Sequence, residues 1–224
     1  MSFGDKKLSE IAVSVPGSTS LLREYDLDFC CGGSDTLANA AAEKGLNLAE
    51  IETRLTELQN SKAENSEEYW VNATYPEIID HILVRYHQRH REQLQELIVL
   101  ADRVESVHGD RDDCPIGVAA ELRNVYDDLS NHMMKEEHVL FPMIKAGNYM
   151  MAQMPIRMME MEHAEHGEHL DVLKSLTNNM TPPADACNTW RALYSGIQEF
   201  ADDLMMHIHR ENNILFPRVI AENH

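Results

Sequence analysis

From residue 74 onward, apolar residues recur every three to four positions, the spacing that places them on one face of an α-helix. Leu83, His87, His90, Leu94, Leu97 and Ala101 form the stripe of a first helix, expected to run from Thr74 to about His108. Thr74 can cap it, Pro76 suits its first turn, and Glu77 completes a capping box with Thr74. After a loop at Cys114-Pro115, a second helix carries Val118, Leu122, Val125, Leu129, His132, Glu136 and Val139 on one face, with Pro142 and Gly147 ending or kinking it. A third starts near Pro155, aligns Met159, His163, His166, Leu170 and Leu173, and stops at Asn178-Asn179 and Thr181-Pro182-Pro183. The fourth runs from about Asp185 towards Pro217 and turns Leu193, Ile197, Phe200, Leu204, His207, Glu211 and Ile214 inward. Four long amphipathic helices with short connections predict an all-α protein built on an antiparallel up-down four-helix bundle.

The first sixty residues read differently, as a small helical N-terminal domain. Leu8 to Ala12 begins a short helix that Pro16-Gly17 interrupts, and Ser18 to Tyr25 offers a second. The chain then turns through Phe29-Cys30-Cys31-Gly32-Gly33. Ser34 can cap a helix through Thr36 to Ala42 that Gly45 closes, and a last helix from about Leu48 to Leu58 aligns Ile51, Leu55 and Leu58. Gln59 to Glu68 holds nothing apolar larger than Ala and reads as linker. The expected organisation is residues 1–60 as the N-terminal domain, 61–73 as linker and 74–224 as the bundle.

The polar positions inside the stripes repeat. The skeleton D-D-L-x-x-H-x-x-x-E-x-x-x-L-F-P spans Asp127 to Pro142 and returns 75 residues later as Asp202 to Pro217. His87 and His90 of the first helix match His163 and His166 of the third, 76 residues apart. Helices one and two are therefore repeated as three and four. Each half supplies one early His and one later His-x-x-x-Glu pair, and residues four apart on a helix share a face. Burying His and Glu side chains without compensation costs several kcal/mol. Such groups converging on a core need metal ions or a complete hydrogen-bond network.

Six ligands, His87, His132, Glu136, His163, His207 and Glu211, are too many for one tetrahedral zinc and suit two metals, with both carboxylates bridging and positions left open. Imidazole and carboxylate donors without thiolate fit iron, zinc, copper or manganese, so donor type alone does not choose. Open positions on a redox-active pair would accept oxygen, nitric oxide or an oxo bridge. Ferritin-like sites use Glu-x-x-His at i, i+3, a different pattern. His90 and His166 are expected to hydrogen-bond around the ligands. Asp128 and Asp203, four residues before His132 and His207, could orient imidazoles or relay protons, with solvated carboxylates as the plainer alternative. His81, His108, His138, His169, His209 and His224 read as surface residues, and the thirteen Met mostly as core filling. Glu162, beside His163, is a candidate acid. Cys30 and Cys31 lie in a Gly-rich turn ahead of an expected helix N-terminus, which can lower a thiol pKa and make it reactive or metal-binding. Cys114 and Cys187 read as incidental.

Lys plus Arg total 19 against 38 Asp plus Glu, a net charge of −19 over 224 residues. That balance argues against nucleic acid and against an anionic membrane as partners. No signal-peptide pattern opens the chain and no apolar run approaches a membrane span. The four Cys have no secreted-framework spacing, so reduced thiols in a cytoplasm are expected.

Phe29-Cys30-Cys31-Gly32-Gly33 in a small helical domain, followed by Arg85-Tyr86-His87, His132-Met133-Met134-Lys135-Glu136, Glu162-His163 and His207-x-x-x-Glu211, resembles the bacterial repair-of-iron-centres proteins. These are hemerythrin-like di-iron proteins implicated in restoring iron-sulfur clusters damaged by oxidative or nitrosative stress. The resemblance covers essentially the whole chain. It implies two non-haem iron ions, oxo-bridged, held by His87, His132, Glu136, His163, His207 and Glu211, with the two glutamates bridging. It also implies iron donation to damaged iron-sulfur proteins. Two alternatives stand beside it: a nitric oxide reductase forming nitrous oxide with help from Cys30 and Cys31, and a sensor or carrier of oxygen or nitric oxide. A homodimer is among the assemblies open to the chain.

Overall fold

The computed structural model describes residues 2–61 and 66–222. Those residues form helices and contain no strand, only an isolated bridge between Lys7 and Thr36. They fall into two compact units, Met1–Ile78 with Met206–His224, and Ile79–Met205.

In the first unit, short helices α1 (Leu8–Ser14), α2 (Ser18–Glu24), α3 (Leu37–Glu43) and α4 (Leu48–Asn60) close around Leu8, Ile11, Leu22, Leu37, Ile51 and Leu55, each at most 2% exposed. Thr36 caps α3, accepting from the Asn39 N–H, where Ser34 was the expected cap. Gly45, at φ +63°, ends that helix as expected. α5 (Ser66–Asn72) is a helix within the stretch expected as linker, and residues 62–65 of that stretch lie outside the described residues. The end of the chain also belongs here: a π-helical turn (Glu211–Leu215) and α12 (Phe216–Ala221). Arg218 donates to the Trp70 and Ala73 carbonyls, securing α12 to the end of α5.

The second unit holds the long helices. α6 (Tyr75–His81) opens with the expected capping box: the Thr74 N–H donates to Glu77 at 2.8 Å and the Glu77 N–H to the Thr74 hydroxyl at 3.4 Å. It continues through a π-turn (Ile82–His87) into α7 (Gln88–His108). α8 (Val118–Lys135) continues likewise through a π-turn (Glu136–Leu140) into α9 (Phe141–Lys145), ended by Gly147 at φ +76°. α10 (Tyr149–Leu176) starts before Pro155 and stops where Asn178, Asn179 and Met180 all take positive φ. α11 (Asn188–Arg210) completes the set. α7 packs along α8, and α8 along α10. Gly196 lets α11 approach α7 closely, since a Cβ there would meet Leu97 at 2.7 Å. The four-helix, all-α architecture is the one the hydrophobic pattern predicts.

Two expectations about the helix faces fail. Val139, expected inward, is exposed, and Leu140 takes the buried place. The π-turn inserts an extra residue and shifts the helical phase, which a constant 3.6-residue period cannot anticipate. Methionines were expected in the core, yet Met134, Met150, Met151, Met154, Met158 and Met161 are exposed, and five of these lie along α10.

Candidate metal centre

The π-turns fall at the expected ligands. His87 ends one, while Glu136 and Glu211 open the other two. A π-turn widens the helix for one turn and re-aims the residues at its edge, and it is found mostly at functional sites.

Within the second unit, His87, His132, Glu136 and His163 are all at most 1% exposed. Glu136 Oε2 lies 3.3 Å from His87 Nε2 and 3.4 Å from His132 Nε2, so one carboxylate stands between two imidazoles. His163 Nε2 and His132 Nε2 face each other at 3.1 Å. That is about the separation of two nitrogen donors on one ion with bonds of about 2.1 Å. In the first unit, His207 and Glu211 are equally buried, with His207 Nε2 3.4 Å from Glu211 Oε1. The residues whose side chains could hold a metal ion are thus His87, His132, Glu136 and His163 in the second unit and His207 and Glu211 in the first.

The far nitrogens of two imidazoles are fixed by outer carboxylates. His87 Nδ1 lies 2.8 Å from Glu137, which also accepts from Arg91. His132 Nδ1 lies 2.9 Å from Glu162, which also accepts from Lys135. A carboxylate on Nδ1 selects the tautomer that turns the Nε2 lone pair to the centre and raises its basicity. The imidazole bond, reinforced by the cation and outweighing partial burial, holds Glu137 and Glu162 each down at about 2. Four buried imidazoles and two buried carboxylates, oriented in this way and lacking thiolate, suit a first-row transition metal such as iron.

The flanking residues are distributed unequally. Asp203 is buried, but it accepts from Arg85 and from Gln93, whose amide oxygen faces His90 Nδ1 at 3.4 Å. His90 packs its ring on Tyr86 and Phe200. His166 sets its ring against His132, with centroids 4.8 Å apart. Asp128, the repeat partner of Asp203, is exposed and meets His169 Nε2 at 3.1 Å, while Glu121 lies 2.6 Å from Nδ1. His138 is exposed, His81 and His108 are half-buried, and His224 lies outside the described residues.

His209 corrects the surface assignment. It is fully buried, 3.4 Å from Glu67 and edge-on to the Phe29 ring at 5.3 Å. Burial, only partly opposed by Glu67, lowers its pKa. Two residues past His207 it lies on another side of the helix, and at this end of the chain that side is covered too. The neighbouring Arg210, also buried, donates to Glu67 at 2.6 and 3.2 Å and lies over the Trp70 ring. The sequence signal was Glu67 itself, an acid in a stretch set aside as linker.

The cysteine turn is built around Asp28. Its Oδ1 accepts from the N–H of Cys30 and of Cys31, and its Oδ2 from that of Gly32. A Cβ on Gly33 would stand 2.5 Å from the Phe29 carbonyl, so that position requires glycine. The expected low thiol pKa is not found for Cys30: the contact with Cys31, burial and Asp28 raise it well above its ordinary value. α3 begins only at Leu37, too late for its N-terminus to act on the turn. Cys114 is buried, and exposed Cys187 has its Sγ 3.3 Å from His108 Nε2.

Residues 78–219 match the hemerythrin HHE cation-binding domain, and residues 4–59 match a domain of unknown function, ScdA_N. A "Probable iron-sulfur cluster repair protein" of Haemophilus influenzae is 68% identical over 99% of this chain and 100% of its own. Proteins of Musicola paradisiaca and Escherichia coli O81, each named "Iron-sulfur cluster repair protein YtfE", are 54% and 53% identical, over 98% and 99% of both chains respectively. With residues 78–219 matching that domain and its likeness to these relatives running nearly end to end, the chain belongs to the hemerythrin HHE family.

Proposed function

We propose that this protein holds two iron ions in the bundle and donates iron to iron-sulfur proteins whose clusters have been damaged by oxidative or nitrosative stress. One observation carries the two-ion reading: His87, His132, His163, His207, Glu136 and Glu211 are each at most 1% exposed, six buried metal-type donors where one tetrahedral ion needs four. Imidazole and carboxylate donors in that number suit a pair of ions, with the two carboxylates shared between them. All four imidazoles and both carboxylates would hold the pair. Iron held by these residues would supply a labile ferrous store. Glu137 and Glu162 keep the proton of each imidazole on Nδ1, and the buried walls exclude water from the carboxylates. The names of the relatives favour repair over the nitric oxide reductase and sensor readings. Oxygen and nitric oxide remain small ligands for the open positions, and the place of action is the cytoplasm. Among the described residues no helix is long and apolar enough to cross a membrane.

The test is transfer. Protein loaded with ferrous iron is mixed with an apo iron-sulfur acceptor, sulfide and reductant. Cluster absorbance should grow on the acceptor as iron leaves the donor, and iron that stays bound under these conditions overturns the reading. Iron analysis should give two per chain, with the absorption bands of an oxo-bridged pair after oxidation. Sedimentation of the loaded protein decides between monomer and homodimer.

A further inference from the structure

The bundle ligands include no sulfur, yet a second group of metal-type donors lies elsewhere on the chain: Asp28, Cys30 and Cys31 present ligand atoms within 4.8 Å of one another. Cys30 Sγ and Cys31 Sγ are 3.9 Å apart, and neither is in a disulfide. Two sulfurs bound to one tetrahedral ion at about 2.3 Å sit about 3.8 Å apart, so the thiols already have the spacing of a chelate. Cys30 Sγ is 3.2 Å from Asp28 Oδ1, a few tenths of an ångström closer than two donors on such an ion.

The turn is organised before any ion arrives. Three backbone N–H groups fix the Asp28 carboxylate. Asn212 donates to the Cys30 carbonyl at 3.0 Å and Asn213 to the Phe29 carbonyl at 2.8 Å, so two successive backbone carbonyls of the turn are held by the chain segment that follows Glu211. Cys30 is buried and Cys31 half-exposed, which closes one side of the group and leaves the other open to an exchanging ligand.

We infer that Asp28, Cys30 and Cys31 form a second metal site, one that takes a single thiophilic divalent cation with a coordination position left open. Binding forms two metal–sulfur bonds and one metal–oxygen bond and releases the two thiol protons to solvent, with no change of oxidation state. Three protein ligands leave a fourth position open to an incoming ligand, whereas a structural site is closed by four. Resting on the repair reading, the cation it serves in the cell is ferrous iron on its way to an acceptor.

The test uses the full chain with its bundle filled with iron, kept anaerobic in a thiol-free reductant and titrated with cobalt(II). A thiolate-to-cobalt absorption band should grow and saturate at one added equivalent. The band cannot arise in the bundle, whose proposed ligands contain no thiolate, and its loss in Cys31→Ser separates it from Cys114 and Cys187. Cys31→Ser should abolish the two-thiolate band while bundle iron and helical circular dichroism stay at wild-type values. Asp28→Asn should keep the band but weaken cobalt binding by about tenfold or more. No band in the wild type, or an unchanged band in Cys31→Ser, overturns the site. Iron transfer to the apo acceptor is then measured with Cys31→Ser. Transfer that continues at the wild-type rate removes the exit role and leaves the repair reading standing, whereas loss of transfer from the wild type itself removes the repair reading and leaves the cobalt result untouched.

Discussion

Glu137 and Asn212 hold the same place in the two copies of the repeat, each directly after a glutamate that opens a π-turn. In the first copy the residue is an acid that grips the far nitrogen of His87. In the second it is an amide that grips the carbonyl of Cys30. Lys135 and Arg210 form a second such pair: Lys135 is half-exposed on Glu162, while Arg210 is buried on Glu67. A third is Gln93 and His169, the one bonded to buried Asp203 and the other to exposed Asp128. The duplication preserved the donors and let the residues beside them diverge. Beside its glutamate the first copy sets Glu137 on a ring nitrogen of His87, whereas beside its own the second sets Arg210 and Asn212 on the N-terminal helices and the cysteine turn.

The most severe way to probe this division is at a ligand. His132→Leu removes one donor and leaves Glu136 and His163 buried without it. Metal analysis should show a loss of at least one iron per chain. Retention of both would mean that His132 is only a packed core residue.

Next in size is the contrast between Arg210 and Lys135. Glu67→Ala leaves a guanidinium buried without its carboxylate and should cost about 3–5 kcal/mol in urea unfolding. Lys135→Ala removes an exposed cation and should cost less than about 1 kcal/mol. The Glu67 pair also sets a pH dependence. Burial raises its pKa, but the bonds from His209 and Arg210 more than offset this and bring it from 4.5 down to about 2. The folded value lies below the unfolded one, so this stabilisation is fully present above about pH 4.5 and is lost as pH falls towards 2. Glu67→Gln should flatten that part of the stability profile, and an unchanged acid limb would show that the pair contributes nothing to it.

A finer contrast falls on the two equivalent positions themselves. Glu137→Gln should weaken iron binding by about 10–100-fold, the usual effect of removing a carboxylate behind a ligand imidazole. Asn212→Ala should leave iron affinity within about twofold and should speed alkylation of Cys31. Equal effects of the two substitutions on iron affinity would erase the proposed division of labour.

These contrasts also mark what could be read from the sequence. The burial of the proposed ligands is legible because burying His and Glu inside an apolar stripe is costly, and a duplicated breach of the pattern stands out. The helices are legible from periodicity, down to the Thr74–Glu77 capping box. The second buried face of the last helix is not. His209 and Arg210 lie off the stripe of His207 and Glu211, and what covers them, Glu67 and Phe29, is more than a hundred residues away in sequence. A periodic pattern reports that a face is buried but not by what, and it finds only the face that repeats. The π-turns are hidden for a related reason: the residue that each inserts shows only as a phase error, and Val139 was misplaced by it. The raised thiol pKa of Cys30 depends on Asp28 and Cys31 being folded back onto it, and composition carries no trace of that.

The smallest effect separates Asn213 from its counterpart His138. Asn213 donates to the Phe29 carbonyl and lies 2.8 Å from His209 Nδ1, whereas His138 is exposed. Asn213→Ala removes its bonds to the Phe29 carbonyl and to His209, and the first of these should be worth about 1 kcal/mol. If that energy holds the cysteine turn, the turn opens about fivefold more often, and alkylation of Cys31 accelerates by the same factor at constant reagent. His138→Ala touches no such anchor and should stay within about 0.5 kcal/mol of wild type with an unchanged alkylation rate. A stability loss for Asn213→Ala without faster alkylation would mean that the bond steadies the π-turn alone. The hold on the turn would then rest on Asn212, narrowing the divergence between the two copies to a single residue.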